Sequence, residues 1–411
     1  MITVGSLFTG YGGLELGLSL IAPTRTAWVA DIGHGPRAVL AHRFPGVPNL
    51  GDVTTVDWSR VEPVDIIAGG SPCQDLSTAG RRAGMRPGTR SGLWESMAAS
   101  ISQIRPRMVI WENVTGALSA SAWNRSNDDR HLGARDWTVD QDQPLCRALG
   151  RVAGELSSLG YDAQWRVVRA SDVGAPHRRA RLFLLAIRRD TAADAHLLLR
   201  DWTMRPRGRR PEPPHSSSDG DAGALTLLLT PQSRPDHRQS PGFGTSLSDA
   251  VRLLPTPTAT DQGSSKSLQK WDAWTASMRA RHGNGHGASL SIESKDLGPY
   301  QAALDRWAIV MGRPAPEPTD DEGRLSPLFV EHMMGLPPGW VTAVPGISRT
   351  AQLRLLGNGV VPQQASYALS TLATWAQQPA PPDDDRDELG TPDMLALLRH
   401  PRANNIMTSH N

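Results

Sequence analysis

Short apolar runs that alternate with helical patterns predict an α/β protein built on a doubly wound parallel sheet. Three observations carry that prediction. The alternation itself persists through residues 1–187, as parallel strands joined by crossover helices require. A glycine-rich turn, Gly10-Tyr11-Gly12-Gly13, joins the first apolar run to the first helical one. The segments bordering the other strands carry carboxylates, a Pro-Cys pair, a Glu-Asn pair and paired arginines. A doubly wound sheet collects such residues at one edge, outside the carboxyl ends of its strands.

In chain order, strands are predicted at 3–8, 26–30, 64–68, 108–111, 163–168 and 181–186. Helical patterns fall between them at 14–21, 36–44, 92–103 and 145–159. The polar stretch 120–143 interrupts this rhythm and reads as an insertion or loop. From Arg189 the character changes, and 205–223 has the Arg-, Pro- and Ser-rich composition of a linker. Beyond it, Leu228-Leu229-Thr230-Pro231 is echoed by Leu254-Pro255-Thr256-Pro257. Gly242-Phe243-Gly244-Thr245-Ser246-Leu247 is similarly echoed by Gly285-His286-Gly287-Ala288-Ser289-Leu290. Two irregular modules, or chance likeness in a Gly/Pro/Ser-rich stretch, both account for these echoes. Order is expected again at 300–311 and 325–376, followed by an acidic, Pro-rich tail with a short helix at 394–398.

Composition narrows the class. A chain of 411 residues is long enough for two domains, and 39 Gly with 33 Pro point to long loops. The net charge of +2 does not announce a nucleic-acid binder. The cations are nearly all arginine, with lysine only at Lys266, Lys270 and Lys295. Arginine suits bidentate phosphate and guanine contacts, although a GC-rich genome yields the same bias. Two cysteines, Cys73 and Cys146, offer no disulfide framework. Met1-Ile2-Thr3-Val4-Gly5 lacks the cationic start and apolar core of a signal peptide, and no stretch is long enough to span a bilayer. The cytoplasm is the expected compartment.

Taken singly, the motifs have ordinary explanations as well as chemical ones. Phe8 with Gly10, Gly12 and Gly13 permits close approach of a ligand to backbone N–H groups, or is a plain strand–helix turn. Asp31 and Asp52 can accept from ribose hydroxyls and an adenine amino group, or be turn aspartates. Pro72-Cys73 places a thiol on a shaped loop, where a buried structural cysteine is the alternative. Glu112, in Trp111-Glu112-Asn113-Val114, can protonate a heterocycle nitrogen if a closed pocket raises its pKa, or is a solvated strand-end acid. Arg179 and Arg181 alternate on an extended segment, so they can converge on one anionic or carbonyl-rich site, or form a solvated basic cluster. Their order along the chain is harder to produce as packing alone.

Together these residues resemble the DNA cytosine-C5 methyltransferases, over 1–187 and about 324–372, with the family's motifs in unpermuted order. Phe8-Thr9-Gly10-Tyr11-Gly12-Gly13 resembles the S-adenosylmethionine loop, and Gly69-Gly70-Ser71-Pro72-Cys73-Gln74 the nucleophile loop. Arg90-Ser91-Gly92-Leu93-Trp94 resembles the start of the helix that follows. Glu112-Asn113-Val114 resembles the acid motif, and Arg179 with Arg181 the paired arginines. Glu331-His332-Met333-Met334-Gly335-Leu336-Pro337-Pro338-Gly339-Trp340 and Leu356-Gly357-Asn358-Gly359-Val360-Val361-Pro362 resemble the last two motifs, the second supplying a helix that returns to the cofactor domain. Departures are Ser6 for Asp, Asp31 for Glu, Gly33 for a second acid, Ser71 for Phe and His177 for Gln. Nothing in the sequence accounts for Ser71.

The resemblance implies a Rossmann-like S-adenosylmethionine-dependent methyltransferase domain with a small irregular target-recognition domain. It implies a catalytic domain at 1–187, linker and target recognition at 188–323, final motifs at 324–376 and a disordered tail at 377–411. Cys73, Glu112, Arg179 and Arg181 are then catalytic. Phe8, Gly10, Gly12, Gly13, Asp31, Asp52, Pro72, Asn358 and Val360 bind S-adenosyl-L-methionine, and no metal is expected. The implied reaction flips a cytosine from double-stranded DNA, adds Cys73 to C6 and methylates C5, with Glu112 at N3 and an arginine at O2. Arg81, Arg82, Arg86 and Arg90 would clamp DNA. Arg279, Arg281, His282 and Gly283 to Gly287 would enter a groove. The expected protein is a monomer without membrane contact, with a cognate restriction endonuclease as partner. An RNA cytosine methyltransferase and a silent S-adenosylmethionine- or DNA-binding regulator are the alternatives.

Overall fold

A computed structural model describes residues 1–71, 93–118, 148–204, 251–259, 268–282 and 289–376. The polar stretch 120–143, the 205–223 linker, the first member of each echoed pair, Gly283 to Gly287 and the tail lie outside the described residues.

Six strands form one sheet: β1 (Ile2–Leu7), β2 (Thr24–Ala30), β3 (Ile66–Gly69), β4 (Met108–Val114), β5 (Tyr161–Arg169) and β6 (Ala180–Arg188). Their spatial order is β2-β1-β3-β4-β6-β5. Pairs β1–β2, β1–β3 and β3–β4 are parallel, whereas β6 runs antiparallel to both β4 and β5. The sheet is therefore mixed, a correction to the all-parallel expectation. The cause is the short connection between β5 and β6, 170–179, which is too short for a crossover helix. The reversal has a chemical consequence. It brings the start of β6, where the arginines lie, to the edge where β4 ends.

Alternation along the central strands shows why helices cover both faces. Ile67, Val109 and Trp111 point into one core with Trp94, Met97 and Ile101 of α3 (Trp94–Ile104) and Leu149, Val152 and Leu156 of α4 (Ala148–Ser158). Ile66, Ala68, Met108 and Ile110 point into the opposite core. There they meet Leu14 and Leu18 of α1 (Gly13–Ser19), Leu199 and Trp202 of α5 (Ala192–Met204), and Ala365 and Leu369 of α10 (Pro362–Ala376). Strands buried on both faces read as unbroken apolar runs, as these do. The returning helix expected after Pro362 is α10, packed against α1 and α5. The sequence reading assigns no element to α5.

A third core joins Tyr11 of the Gly-rich turn and Val39 of α2 (His34–Arg43) to Leu304 and Trp307 of α7 (Gln301–Met311). It also holds Phe329 and Val330 of α8 (Pro327–Met333) and Leu353 and Leu356 of α9 (Arg349–Asn358). A separate helix, α6 (Leu268–His282), carries Trp271 and Trp274 with ring centroids 5.0 Å apart. Among the described residues no helix is long and apolar enough to cross a membrane.

Candidate active site

The period of two that builds the cores also sorts the site residues. Gly70 lies two residues beyond Ala68, Glu112 two beyond Ile110, and Arg181 two before Phe183, so all three fall on the α1–α10 face. Glu112 pairs in register with Phe183, and Val114 with Arg181, which makes Arg181 the diagonal neighbour of Glu112. Arg181 Nε meets Glu112 Oε1 at 3.0 Å. The carboxylate's other oxygen is turned to Gly70, where a Cβ would stand 2.8 Å from Oε2. Glu112 is inside β4, not beyond its end, and only 8 % exposed. Burial pushes its pKa up, and the charges of Arg181 and Arg179 oppose the rise. The result is a desolvated carboxyl group, held in place, beside Gly70, which follows β3 and leads to Cys73.

Arg179 is placed differently. It is 3 % exposed and donates Nη1 to the Pro257 carbonyl at 3.1 Å and Nη2 to the Gly357 and Gly359 carbonyls at 3.0 and 2.5 Å. Its backbone N–H donates to Thr256 Oγ1. The carbonyl-rich site anticipated for the arginine pair is thus, for Arg179, the protein's own backbone. Burial and the nearby Arg181 push its pKa down to about 9, which leaves it cationic at neutral pH. The two arginines do not converge on one group.

The Gly-rich loop is shaped by the C-terminal motif. A Cβ on Gly13 would lie 2.4 Å from the Val360 carbonyl, so only glycine lets that segment dock. Tyr11 donates its hydroxyl to the same carbonyl at 2.8 Å and accepts, at its own carbonyl, from Trp340 Nε1 at 2.8 Å. Gly10, at φ 60°, has nothing within 4 Å of its Cβ position and is the open point of the loop. Phe8 holds φ 54°, a left-handed conformation costing a bulky residue about 1–2 kcal/mol. Asp31 accepts from Gly10 N–H and Gly33 N–H, both at 3.0 Å, and burial raises its pKa.

Asp52 is exposed, and its Oδ1 accepts from Thr54 N–H and Oγ1, which lowers its pKa. Asn358 is exposed at the end of α9, whereas the Val360 side chain is packed in the core. Pro72, Cys73, Arg81, Arg82, Arg86 and Arg90 lie outside the described residues, as does Cys146. The side chains of Arg279, Arg281 and His282 are likewise outside them.

Ser71 acquires a reason. It is buried, accepts from Trp111 Nε1 at 2.9 Å, and lies 3.4 Å from Asn113 Nδ2. Ser71, Trp111 and Asn113 all occupy the α3–α4 face, opposite Glu112. His177 is fully buried, with Nε2 3.1 Å from the Met333 carbonyl. Three residues near the site escape the sequence reading. Ile32, next to Asp31, is 68 % exposed, an unusual position for a large apolar side chain. Asn49 pins Asp31, accepting from its N–H at 3.1 Å and donating to its carbonyl at 3.2 Å. Glu15 is a buried acid one turn from the loop. The signal for Ile32 was its place directly after a strand-end acid; Asn49 and Glu15 had none.

No group of three or more metal-capable side chains occurs among the described residues. A family model for C-5 cytosine-specific DNA methylases matches residues 2–373. The type II methyltransferase M2.BsuMI of Bacillus subtilis (strain 168) is 34% identical over 187 residues, covering 44% of this chain and 41% of that protein. The type II methyltransferase M.NgoFVII of Neisseria gonorrhoeae is 27% identical over 229 residues, 55% of this chain and 51% of that protein. The matches thus span about half the length of these relatives or less. The crystal structure of the S. pombe Dnmt2 methyltransferase aligns with 92% of this chain and 100% of its own at 13% identity and a TM-score of 0.48. With the family model covering nearly its whole described length, the chain belongs to the C-5 cytosine-specific DNA methylase family.

Proposed function

We propose that this chain is a DNA (cytosine-5)-methyltransferase that uses S-adenosyl-L-methionine and acts on a cytosine flipped out of duplex DNA. The observation that carries the reading is Glu112: a buried carboxyl group with a raised pKa, held by Arg181, beside the Gly70 that leads to Cys73. Cytosine C5 is a weak nucleophile. Addition of the Cys73 thiolate to C6 converts the ring to an enamine whose C5 takes up the methyl group as the sulfonium leaves as a thioether. A base then removes the C5 proton and the Cys73 thiolate is expelled from C6. Glu112 serves at N3, donating a proton or a hydrogen bond as charge builds there, and its raised pKa favours the protonated form that can do so. Arg181 holds Glu112 and supplies positive charge near O2. Arg179 acts as a positioning residue, since both its terminal guanidinium nitrogens, Nη1 and Nη2, donate to backbone carbonyls.

The donor, when bound, supplies an electrophilic methyl group on a sulfonium. The residues present fit it: an open Gly10, a carboxylate at Asp31 and an exposed apolar Ile32 at the end of β2. Phe8 and Gly12 shape the loop, Gly13 and Val360 dock it, and Asp52, Pro72 and Asn358 are proposed contacts from the family likeness. We keep 1–187 as the catalytic domain, 188–323 as linker and target recognition, 324–376 as the returning motifs and 377–411 as a tail. The type II relatives support a restriction–modification context. Phage self-protection as the other context, a cognate endonuclease as partner, a monomeric enzyme and a cytoplasmic setting belong to the proposal.

The test is incubation with labelled methyl donor and either duplex DNA or RNA. Labelled cytosine in DNA, lost in Cys73→Ser, is the expected result. Labelling of RNA alone would replace the substrate, and no transfer to either would make the chain a silent binder. A covalent adduct with 5-fluorocytosine DNA reports Cys73 directly, and bisulfite sequencing of DNA from an expressing host reports the target.

A further inference from the structure

Glu15 stands out among the polar groups around the Gly-rich loop. It is 5 % exposed, and neither carboxylate oxygen has a well-formed hydrogen bond among the described residues. The hydroxyl of Ser6, on β1 directly before the loop, is equally buried, and its approach to that carboxylate offsets the Glu15 charge only in part. Both groups belong to the segment that carries the loop. Glu15 Oε2 lies 3.7 Å from the Cβ position of Gly12. Among the described residues no Arg, Lys or His forms an ion pair with Glu15; burial dominates and raises its pKa, with the Ser6 hydroxyl and its own backbone N–H opposing the rise. A buried carboxylate without a cation is costly to a fold, and natural proteins keep one where something supplies the missing charge. Glu331 shows the contrast within this chain. It is as deeply buried, yet it accepts four hydrogen bonds from Gly339, Val341 and Thr342. Glu331 is therefore structural, and Glu15 is not accounted for in that way.

We propose that Glu15, with Ser6 beside it, receives the ammonium group of the aminoacyl end of the methyl donor. The inference rests on the donor occupying the Phe8–Gly13 loop, as proposed above.

The test is binding, measured by titration calorimetry on the full chain without DNA. The probes are S-adenosylhomocysteine, the same thioether lacking its amino group, and 5′-methylthioadenosine, which lacks the aminoacyl end. The wild type should prefer S-adenosylhomocysteine to its deaminated form by tenfold or more. Glu15→Gln should weaken S-adenosylhomocysteine at least tenfold and leave 5′-methylthioadenosine within twofold. Equal affinity of the wild type for the amino and deaminated thioethers overturns the proposal without any variant. So does a Glu15→Gln variant that keeps its affinity for S-adenosylhomocysteine, or that loses all three probes equally. A wild type that binds none of the three overturns the donor assignment itself, an outcome distinct from the others.

Discussion

Gly70 and Glu112 face each other so closely that one added methyl group has a defined consequence. In Gly70→Ala the new Cβ would stand 2.8 Å from Glu112 Oε2, so the carboxylate must move away from where the base would sit. Displacing a reacting group by about 1 Å costs roughly 100-fold in rate. We expect methyl transfer to fall about 10- to 100-fold while the melting temperature changes little, because the displaced atoms end a side chain. An unchanged turnover would remove Glu112 from the chemistry. The ion pair behaves differently. Arg181→Met strands a buried carboxylate, and unfolding in urea should report a loss of about 3–5 kcal/mol. Adding Glu112→Gln to that variant should restore most of the stability but none of the activity, which separates the fold's need for the pair from the reaction's.

Between elements, two polar ties fix how the loops meet the sheet. Ser71 joins the end of β3 to Trp111 in β4. In Ser71→Ala the indole N–H stays buried without its acceptor, and the expected cost is about 1–3 kcal/mol, read as a lower urea midpoint. A variant as stable as wild type would show that Trp111 finds another acceptor. Arg179 is the second tie. Three of its hydrogen bonds join the start of β6 to residue 257 and to the α9–α10 junction. Arg179→Met should make the chain cleavable by protease near 254–259 and 356–361 under conditions where the wild type is resistant, well before global unfolding. Resistance equal to wild type would deny it that role.

At the scale of the whole molecule, stability should depend on pH through two buried imidazoles. Burial depresses His177 to about 3 and His332 to about 4, so both fold neutral. Below about pH 6.5 the unfolded chain binds protons that the folded chain refuses. Their contribution is therefore complete above about pH 7 and declines as pH falls toward 4, by about 1.4 kcal/mol per pH unit for each group. Glu15, Glu112 and Asp31 act with the opposite sign, because their raised pKa values favour the folded state at low pH. A difference measurement isolates the histidine. His177→Gln should flatten the pH dependence of unfolding between pH 6.5 and 4 by about 1.4 kcal/mol per unit relative to wild type. Parallel curves for the two proteins would refute the assignment.

The sequence by itself determined the six strands, the helices packed between them, and the family, because strands buried on both faces and Gly-shaped turns leave local signatures. It also placed Glu112 and Arg181 at one edge. Only the tertiary structure decided that β6 runs against β4, that Arg179 binds backbone carbonyls while Arg181 binds Glu112, that Ser71 serves Trp111, and that Glu15 is buried with no cation beside it among the described residues. Each of these depends on which distant segment fills the space beside a side chain. Residues 257, 357 and 359 are more than seventy positions from Arg179, and no local pattern encodes such a meeting. Residue type and spacing state what a group can do; packing decides which neighbour it does it with.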